Sequence, residues 1–254
     1  MILHAIEAGA GPPIVLLHGL FGRAQNLGTL ARRLARFMRV ISIDLRNHGG
    51  SPHAPGMDYP TQAADLWETL TSLDAVPAAL LGHSMGGKTA MAAALLAPEK
   101  VVRLVVADIA PVTYIHQNAG IAAALQSIPL RPGITRAEAD QVLREAVPDA
   151  AVRAFLLQSF LPGATPGWRI GLDHIANDIT TLESWPRFPP GARYEGPTLF
   201  VSGARSDYVL PAHTEAIKQS FPAARFAIIP EAGHWLHADQ PDAFGAVVEE
   251  FFRK

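Results

Sequence analysis

The sequence predicts an α/β fold in which a mostly parallel central sheet is covered by helices on both faces. The first observation is that short, continuously apolar runs, typical of strands buried on both faces, alternate with helical patterns. The second is that 49% of the 254 residues are hydrophobic and 17% are charged, which suffices for one sizeable core. The predicted strands lie at 13–18, 38–44, 77–83, 101–111, 197–203 and 225–230.

Helical patterns follow most of these strands, and a long helical stretch separates the fourth strand from the fifth. The predicted helices of the core lie at 27–37, 60–74, 85–97, 211–220 and 241–254. Residues 112–190 contain no comparable strand-like run but include helical patterns at 136–146 and 151–161. We interpret 112–190 as a helical cap inserted into one core formed by 1–111 and 191–254, because the segments on both sides are needed to complete the sheet.

Composition narrows the classes of partner and the compartment. A formal net charge of -2 and a pI near 6.5 give no electrostatic reason to expect nucleic acid or an anionic membrane as a partner. The absence of Cys excludes disulfides, a thiolate metal site and a cysteine nucleophile. No signal-like start and no apolar run near the roughly 20 residues that span a bilayer are present. We therefore expect a cytoplasmic protein without a membrane span.

Ser84 lies between two glycines where a predicted strand is followed directly by a helix. The stretch LLGHSMGGKTAM contains Gly82-x-Ser84-x-Gly86. A tight strand-to-helix turn forces the serine into a strained backbone conformation and leaves room beside it only for residues with little side chain. The pattern therefore predicts the nucleophile elbow of an acyl-transfer enzyme, with the hydroxyl presented at the carboxyl edge of the sheet.

His234 is the predicted general base for Ser84. It lies in EAGHWLHADQP (231–241), a loop at the sheet edge where open parallel sheets bind ligands. His83 points to the other side of the turn and is expected to be structural, and His237 is expected to be a helix-face neighbour or a loop anchor. A His234–His237 metal pair lacks a third ligand, so no metal site is predicted. Four further histidines have no informative neighbours: His4, His116, His174 and His213.

The loop after the first buried strand is the predicted oxyanion hole. It reads LLHGLFG (16–22) and lies at the same sheet edge as the serine. The backbone N–H of Leu20, with Phe21 as the alternative, is expected to act with that of Met85, the residue after the nucleophile. The polar turn DLRNHGGSPH (44–53) is interpreted as structural support that locks neighbouring loops together.

These motifs resemble those of the α/β-hydrolase fold family. The matching stretches are HGLFGRAQNLG, DLRNHGGSPH, GHSMGGKTAM, DIAPVTY and GHWLHADQP. Within the family they look like the bacterial YbfF-type esterases and their mitochondrial abhydrolase-domain relatives. The resemblance runs through the whole core and is thin across 115–190. It implies carboxylesterase or thioesterase activity on small-molecule acyl esters, no cofactor and a helical cap.

The resemblance implies two candidates for the acid that orients His234. The broad family usually places this acid after the strand that follows the cap, where Asp207 stands in GARSDYVLP. The YbfF-type resemblance instead points to Asp108 in DIAPVTY. The two strands are expected to be neighbours, so both carboxylates can approach the imidazole, and we favour Asp108.

The cap is expected to contribute an apolar acyl pocket above Ser84. The aromatic residues considered for it are Phe155, Phe160 and Trp168. Two other functions stay open on the sequence alone. One is carbon–carbon bond hydrolysis or a lyase reaction at the same serine; the other is a non-catalytic ligand-binding sensor on this fold.

Overall fold

The core of the protein is a seven-stranded sheet. A computed structural model describes residues 1–114 and 118–253. These residues form nine strands: β1 (Ala5–Ala8), β2 (Pro13–Leu17), β3 (Arg39–Ile43), β4 (Ala78–His83), β5 (Val101–Ala107), β6 (Phe160–Leu161), β7 (Gly167–Trp168), β8 (Thr198–Gly203) and β9 (Ala224–Ile229). The strand order in the large sheet is β1-β3-β2-β4-β5-β8-β9. All neighbours in the large sheet are parallel except β1, which runs antiparallel to β3 at one edge.

Helices cover both faces of this sheet. The eleven helices in the described residues are α1 (Gly28–Leu34), α2 (Tyr59–Ser72), α3 (Met85–Leu96), α4 (Asn118–Gln126), α5 (Arg136–Leu143), α6 (Ala150–Leu156), α7 (Leu172–Asn177), α8 (Ile179–Glu183), α9 (Thr214–Ser220), α10 (Leu236–Asp239) and α11 (Pro241–Arg253). Helices α2, α3 and α9 pack on one face and α1, α10 and α11 on the other.

The alternation of side chains along β2 shows how the two layers arise. Val15 and Leu17 belong to the core under α2 and α3, whereas Ile14 and Leu16 belong to the core under α1 and α11. All four are fully buried. A strand covered on both faces buries successive side chains, which is why the central parallel strands read as mostly apolar runs.

Five helices and the small antiparallel hairpin of β6 and β7 lie between β5 and β8. Buried residues of these helices, including Leu125, Leu143 and Leu156, join the core cluster on the α2–α3 face. The segment therefore lies over one face and the carboxyl edge of the sheet. The boundaries 112 and 190 of the proposed cap remain a prediction.

The structure also bears on three smaller expectations. Across the described residues, none of the helices combines the length and hydropathy that a membrane crossing requires. His116 lies outside the described residues. The strands β5 and β8 are adjacent and parallel, so the residues that follow them meet at one edge.

Candidate active site

Ser84 sits in the turn between β4 and α3 with φ 54° and ψ -120°. This is the strained region that residues with a Cβ rarely adopt. The Ser84 N–H donates to the Ala107 carbonyl oxygen at 3.0 Å, so the end of the neighbouring strand holds the strained residue in place. The hydroxyl stands at the carboxyl edge of the sheet, as the glycine pattern predicts.

The flanking glycines are required by close backbone contacts. A Cβ on Gly82 would lie 2.1 Å from the Gly86 carbonyl oxygen. A Cβ on Gly86 would lie 2.4 Å from the Leu17 carbonyl oxygen. Both distances are far below van der Waals contact and involve backbone atoms that cannot move aside. The two glycines thus let α3 begin directly against β4 and β2.

A hydrogen-bonded relay joins Ser84, His234 and Asp108. The Ser84 hydroxyl lies 3.1 Å from His234 Nε2, and His234 Nδ1 lies 2.8 Å from Asp108 Oδ2. A carboxylate can only accept, so Nδ1 carries the proton and Nε2 accepts from the serine hydroxyl. The side chain of His234 is partly exposed (21%), whereas that of Asp108 is fully buried (0%). This geometry suits a base that withdraws the serine proton.

Asp108 is fixed by further donors at the edge between β5 and β8. The Gly203 N–H donates to its Oδ1 at 3.1 Å, and the Ser206 hydroxyl donates to its Oδ2. Asp108 itself has φ 53°, which turns its carboxylate from the strand end toward His234. Asp207 is exposed and makes no hydrogen bond to His234 in the described residues. Of the two acid candidates, the structure brings Asp108 to the imidazole.

Two aromatic rings border the imidazole of His234. The Tyr208 ring stacks on it with a centroid distance of 3.7 Å and an interplanar angle of 17°. His83 lies 4.8 Å away and donates from Nε2 to the His234 carbonyl oxygen at 2.8 Å. Burial lowers the pKa of His83 well below its ordinary value, so this ring acts as a neutral donor. His83 is thus a structural neighbour, as the sequence indicates.

The loop after β2 contains two candidate donors for an oxyanion, the backbone N–H groups of Leu20 and Phe21. The Phe21 N–H donates to His48 Nε2 at 3.1 Å, so the alternative donor is already occupied. The N–H groups of Leu20 and Met85 have no acceptor among residues 1–114 and 118–253. The pair available for a developing oxyanion is therefore Leu20 and Met85.

Two buried histidines hold this loop. His18 Nδ1 donates to the Gly19 carbonyl oxygen at 2.8 Å, and His18 Nε2 accepts from the Leu45 N–H at 3.0 Å. Burial lowers the pKa of His48 to about 3 and also lowers the pKa of His18. Both rings are therefore neutral at physiological pH, and each uses one nitrogen as donor and the other as acceptor.

A cavity of about 310 Å³ opens beside Ser84. Its apolar wall includes Phe155 and Leu156 of α6 together with Trp235, whose ring lies 5.5 Å from that of Phe155. Lys88, Asn118 and Glu183 also line it, and none of these three polar residues is predicted from the sequence as a site residue. No pattern marks them, because they become neighbours only when the cap folds over the core.

Phe160 and Trp168 do not line this cavity, which corrects the expectation for these two residues. Their rings pack on each other at 5.2 Å across the β6–β7 hairpin. Phe160 is fully buried, and Trp168 faces a separate groove beside α7. Aromatic character in the cap predicts burial but not the face on which a ring is buried. Of the three pocket candidates, only Phe155 lines the cavity beside Ser84.

Comparisons with known proteins agree with the fold. The chain matches the family described as "Alpha/beta hydrolase family" over residues 14–247. It is 40% identical over 250 residues to the sn-1-specific diacylglycerol lipase ABHD11 of Mus musculus, covering 94% of this chain and 80% of that protein. It is 40% identical over 232 residues to esterase YbfF of Escherichia coli (strain K12), covering 91% of this chain and 89% of that protein.

A solved structure extends the likeness to the whole fold. The structure titled "Marine microorganism esterase" superposes with a TM-score of 0.94 at 37% identity and covers 98% of this chain and 99% of its own. The predicted fold class and the resemblance to YbfF-type esterases and their abhydrolase-domain relatives are confirmed.

Proposed function

We propose that this chain, which belongs to the alpha/beta hydrolase family and is an enzyme of the ester-hydrolase class, cleaves small to medium acyl esters or thioesters through an acyl-enzyme on Ser84. The observation that carries the proposal is the unbroken relay from the Ser84 hydroxyl through His234 to the buried carboxylate of Asp108. A serine hydroxyl is a weak nucleophile without such a base.

In the first step, His234 Nε2 takes the proton from Ser84 as the serine oxygen attacks the ester carbonyl. The carbonyl oxygen becomes an oxyanion, which the N–H groups of Leu20 and Met85 stabilise. The imidazolium then donates its proton to the leaving alcohol or thiol, and the acyl-enzyme remains. Asp108 stabilises the imidazolium throughout and keeps the proton on Nδ1.

In the second step, water takes the place of the leaving group. His234 removes a proton from that water as it attacks the acyl-enzyme, and the same two amides hold the second oxyanion. Return of the proton to Ser84 releases the carboxylic acid and restores the starting state. Every proton moves between the imidazole and an oxygen or sulfur within its reach, so the cycle needs no other group.

The cavity supports the proposed size of the substrate. Its volume of about 310 Å³ lies at the lower end of the range for small-molecule sites. The apolar wall formed by Phe155, Leu156 and Trp235 suits an acyl chain. We assign these three residues to acyl binding.

Labelling with a fluorophosphonate probe tests the nucleophile directly. We expect one covalent adduct on the wild-type protein, located at Ser84 by peptide mass spectrometry. Ser206→Ala serves as the matched control, because the Ser206 hydroxyl donates to Asp108 and makes no hydrogen bond to His234 Nε2 in the described residues; this variant should still be labelled. A folded wild-type protein that takes up no probe would overturn the proposal and favour a non-catalytic sensor.

A further inference from the structure

The far wall of the cavity is held by contacts between the core and the end of α8. The three consecutive carbonyl groups of Leu182, Glu183 and Ser184 all accept hydrogen bonds from outside the helix. The Tyr59 hydroxyl of α2 donates to Leu182, and the Tyr114 N–H donates to Glu183 at 2.9 Å. Helix ends leave such carbonyls without intrahelical partners, so their partners decide where the helix end rests.

Lys88 supplies the remaining two contacts. It lies one turn after Ser84 in α3, and its Nζ donates to the Glu183 carbonyl at 2.9 Å and to the Ser184 carbonyl at 2.8 Å. The residue is 2% exposed. A lysine so deeply buried needs a specific reason, because transfer of an ammonium group from water is costly.

We propose that Lys88 is a positioning residue that ties the end of α8 to α3 and thereby fixes the cavity wall formed by Leu182 and Glu183. Both wall residues line the cavity beside Ser84. The hydrogen bonds fix the backbone at Leu182 and Glu183. The positions of their side chains in the cavity wall are therefore fixed as well. The inference rests on the proposed ester hydrolysis only for its effect on substrate binding.

Burial of Lys88 disfavours its ammonium form, whereas two aromatic ring faces and one carboxylate close to Nζ favour it. Its Nζ lies 5.5 Å from the centre of the Tyr59 ring and 5.0 Å from that of Tyr114. The one carboxylate that faces it in the described residues is Glu183, which also accepts a hydrogen bond from Asn118 Nδ2 at 3.1 Å. Burial lowers the pKa of Lys88 to about 7 against the partial opposition of Glu183. A neutral amine has two N–H donors, which match the two carbonyl acceptors.

The contact therefore tightens as pH rises. When the end of α8 opens and Lys88 meets water, its pKa returns toward the ordinary 10.5. Opening consequently takes up a proton between pH about 7 and 10.5, and its equilibrium constant falls by up to about tenfold per pH unit in that window. Below pH about 7 the lysine is charged in both states and opening no longer depends on it.

Hydrogen exchange and kinetics on the intact protein test the inference together. Lys88→Met keeps the length of the side chain but lacks donors, and Lys100→Met on the surface is the matched control. We expect amides of 179–184 to exchange at least about tenfold faster in Lys88→Met, with α11 unchanged as internal reference. For esters with longer acyl chains, KM should rise about tenfold while kcat falls less than about threefold.

Two further measurements separate the outcomes. In the wild type, protection of 179–184, corrected for intrinsic exchange, should increase from pH 7 to 9, and Lys88→Gln should restore protection without this pH dependence. Unaltered exchange in Lys88→Met, or flat protection in the wild type, would overturn the inference; the wild-type series decides even if Lys88→Met does not fold. Absence of ester hydrolysis in the wild type contradicts the proposed function instead, and the exchange results still decide the role of Lys88.

Discussion

Replacing Asp108 with Asn tests the relay at its buried end. Asp108 Oδ2 accepts from His234 Nδ1 at 2.8 Å and also from the Ser206 hydroxyl. The Oδ1 atom accepts from the Gly203 N–H at 3.1 Å, so an Asn keeps its carbonyl oxygen there. Its NH₂ group then faces His234, which must accept at Nδ1 and carry its proton on Nε2. In that tautomer the imidazole cannot take the proton from Ser84.

The magnitude follows from this change of tautomer. Comparable substitutions in Ser-His-Asp enzymes lower kcat by about 10⁴, and we expect a loss of 10³–10⁴ here. The substitution also removes charge-assisted hydrogen bonds, which contribute about 2 kcal/mol to the free energy of unfolding. For a chain of this size that corresponds to a fall in Tm of about 4–8 °C, so the variant should remain folded at room temperature.

The assay is hydrolysis of a short p-nitrophenyl ester, with circular dichroism melting to verify the fold. Asp207→Asn is the matched control: it makes the same chemical change on the neighbouring strand end, at an exposed residue, and should stay within about twofold of the wild type. The reasoning is refuted if Asp207→Asn is crippled while Asp108→Asn stays within tenfold. Intermediate losses in both variants would mean that the two carboxylates share the role.

Three other predictions have defined outcomes. Ser84→Ala should lower kcat by more than about 10³ with little change in Tm, measured with the same ester; residual turnover within tenfold contradicts its role as nucleophile. Phe155→Trp should narrow the cavity and raise KM for esters with longer acyl chains more than for acetate esters. The control Trp168→Ala should leave the dependence of KM on acyl-chain length unchanged. The same chain-length dependence in both variants would show that Phe155 does not contact the acyl chain. His48→Phe leaves the Phe21 N–H without its acceptor and should lower kcat by about 10²-fold with a smaller change in KM, and an unaltered kcat would show that the oxyanion loop does not need this contact.

The parts of the fold that could be predicted are those with a strong local signal. The predicted bounds of the parallel strands lie within a few residues of the observed ones, because burial on both faces gives the central strands a mostly apolar run. The edge strand β1 (Ala5–Ala8) was missed, since it is largely exposed and only four residues long. The hairpin of β6 and β7 and the short helices α7 and α8 were missed for the same reason, as a few residues carry no period.

The candidate site also contains features with a local sequence signal and features without one. The turn at Ser84 could be predicted because its requirement is local: only glycine avoids the backbone contacts at Gly82 and Gly86. The preference for Asp108 rests on the family resemblance and not on local pattern, because Asp108 and Asp207 follow strands that lie side by side. What separates them is the backbone turn at Asp108 and the donors that arrive from Gly203 and Ser206, and neither leaves a mark in the local sequence.

The cap shows why recognition of a catalytic core does not predict a substrate. Its aromatic residues suggest a pocket, yet the rings of Phe160 and Trp168 pack against each other across the β6–β7 hairpin. The wall nearest α3 depends instead on polar contacts that Tyr59 and Lys88 make to backbone carbonyls. Backbone acceptors can be supplied by any residue type, so such a contact constrains the core side chains and leaves the cap sequence free to vary. The cap can therefore vary its side chains, and with them the acyl preference, while the core residues that hold it in place stay the same.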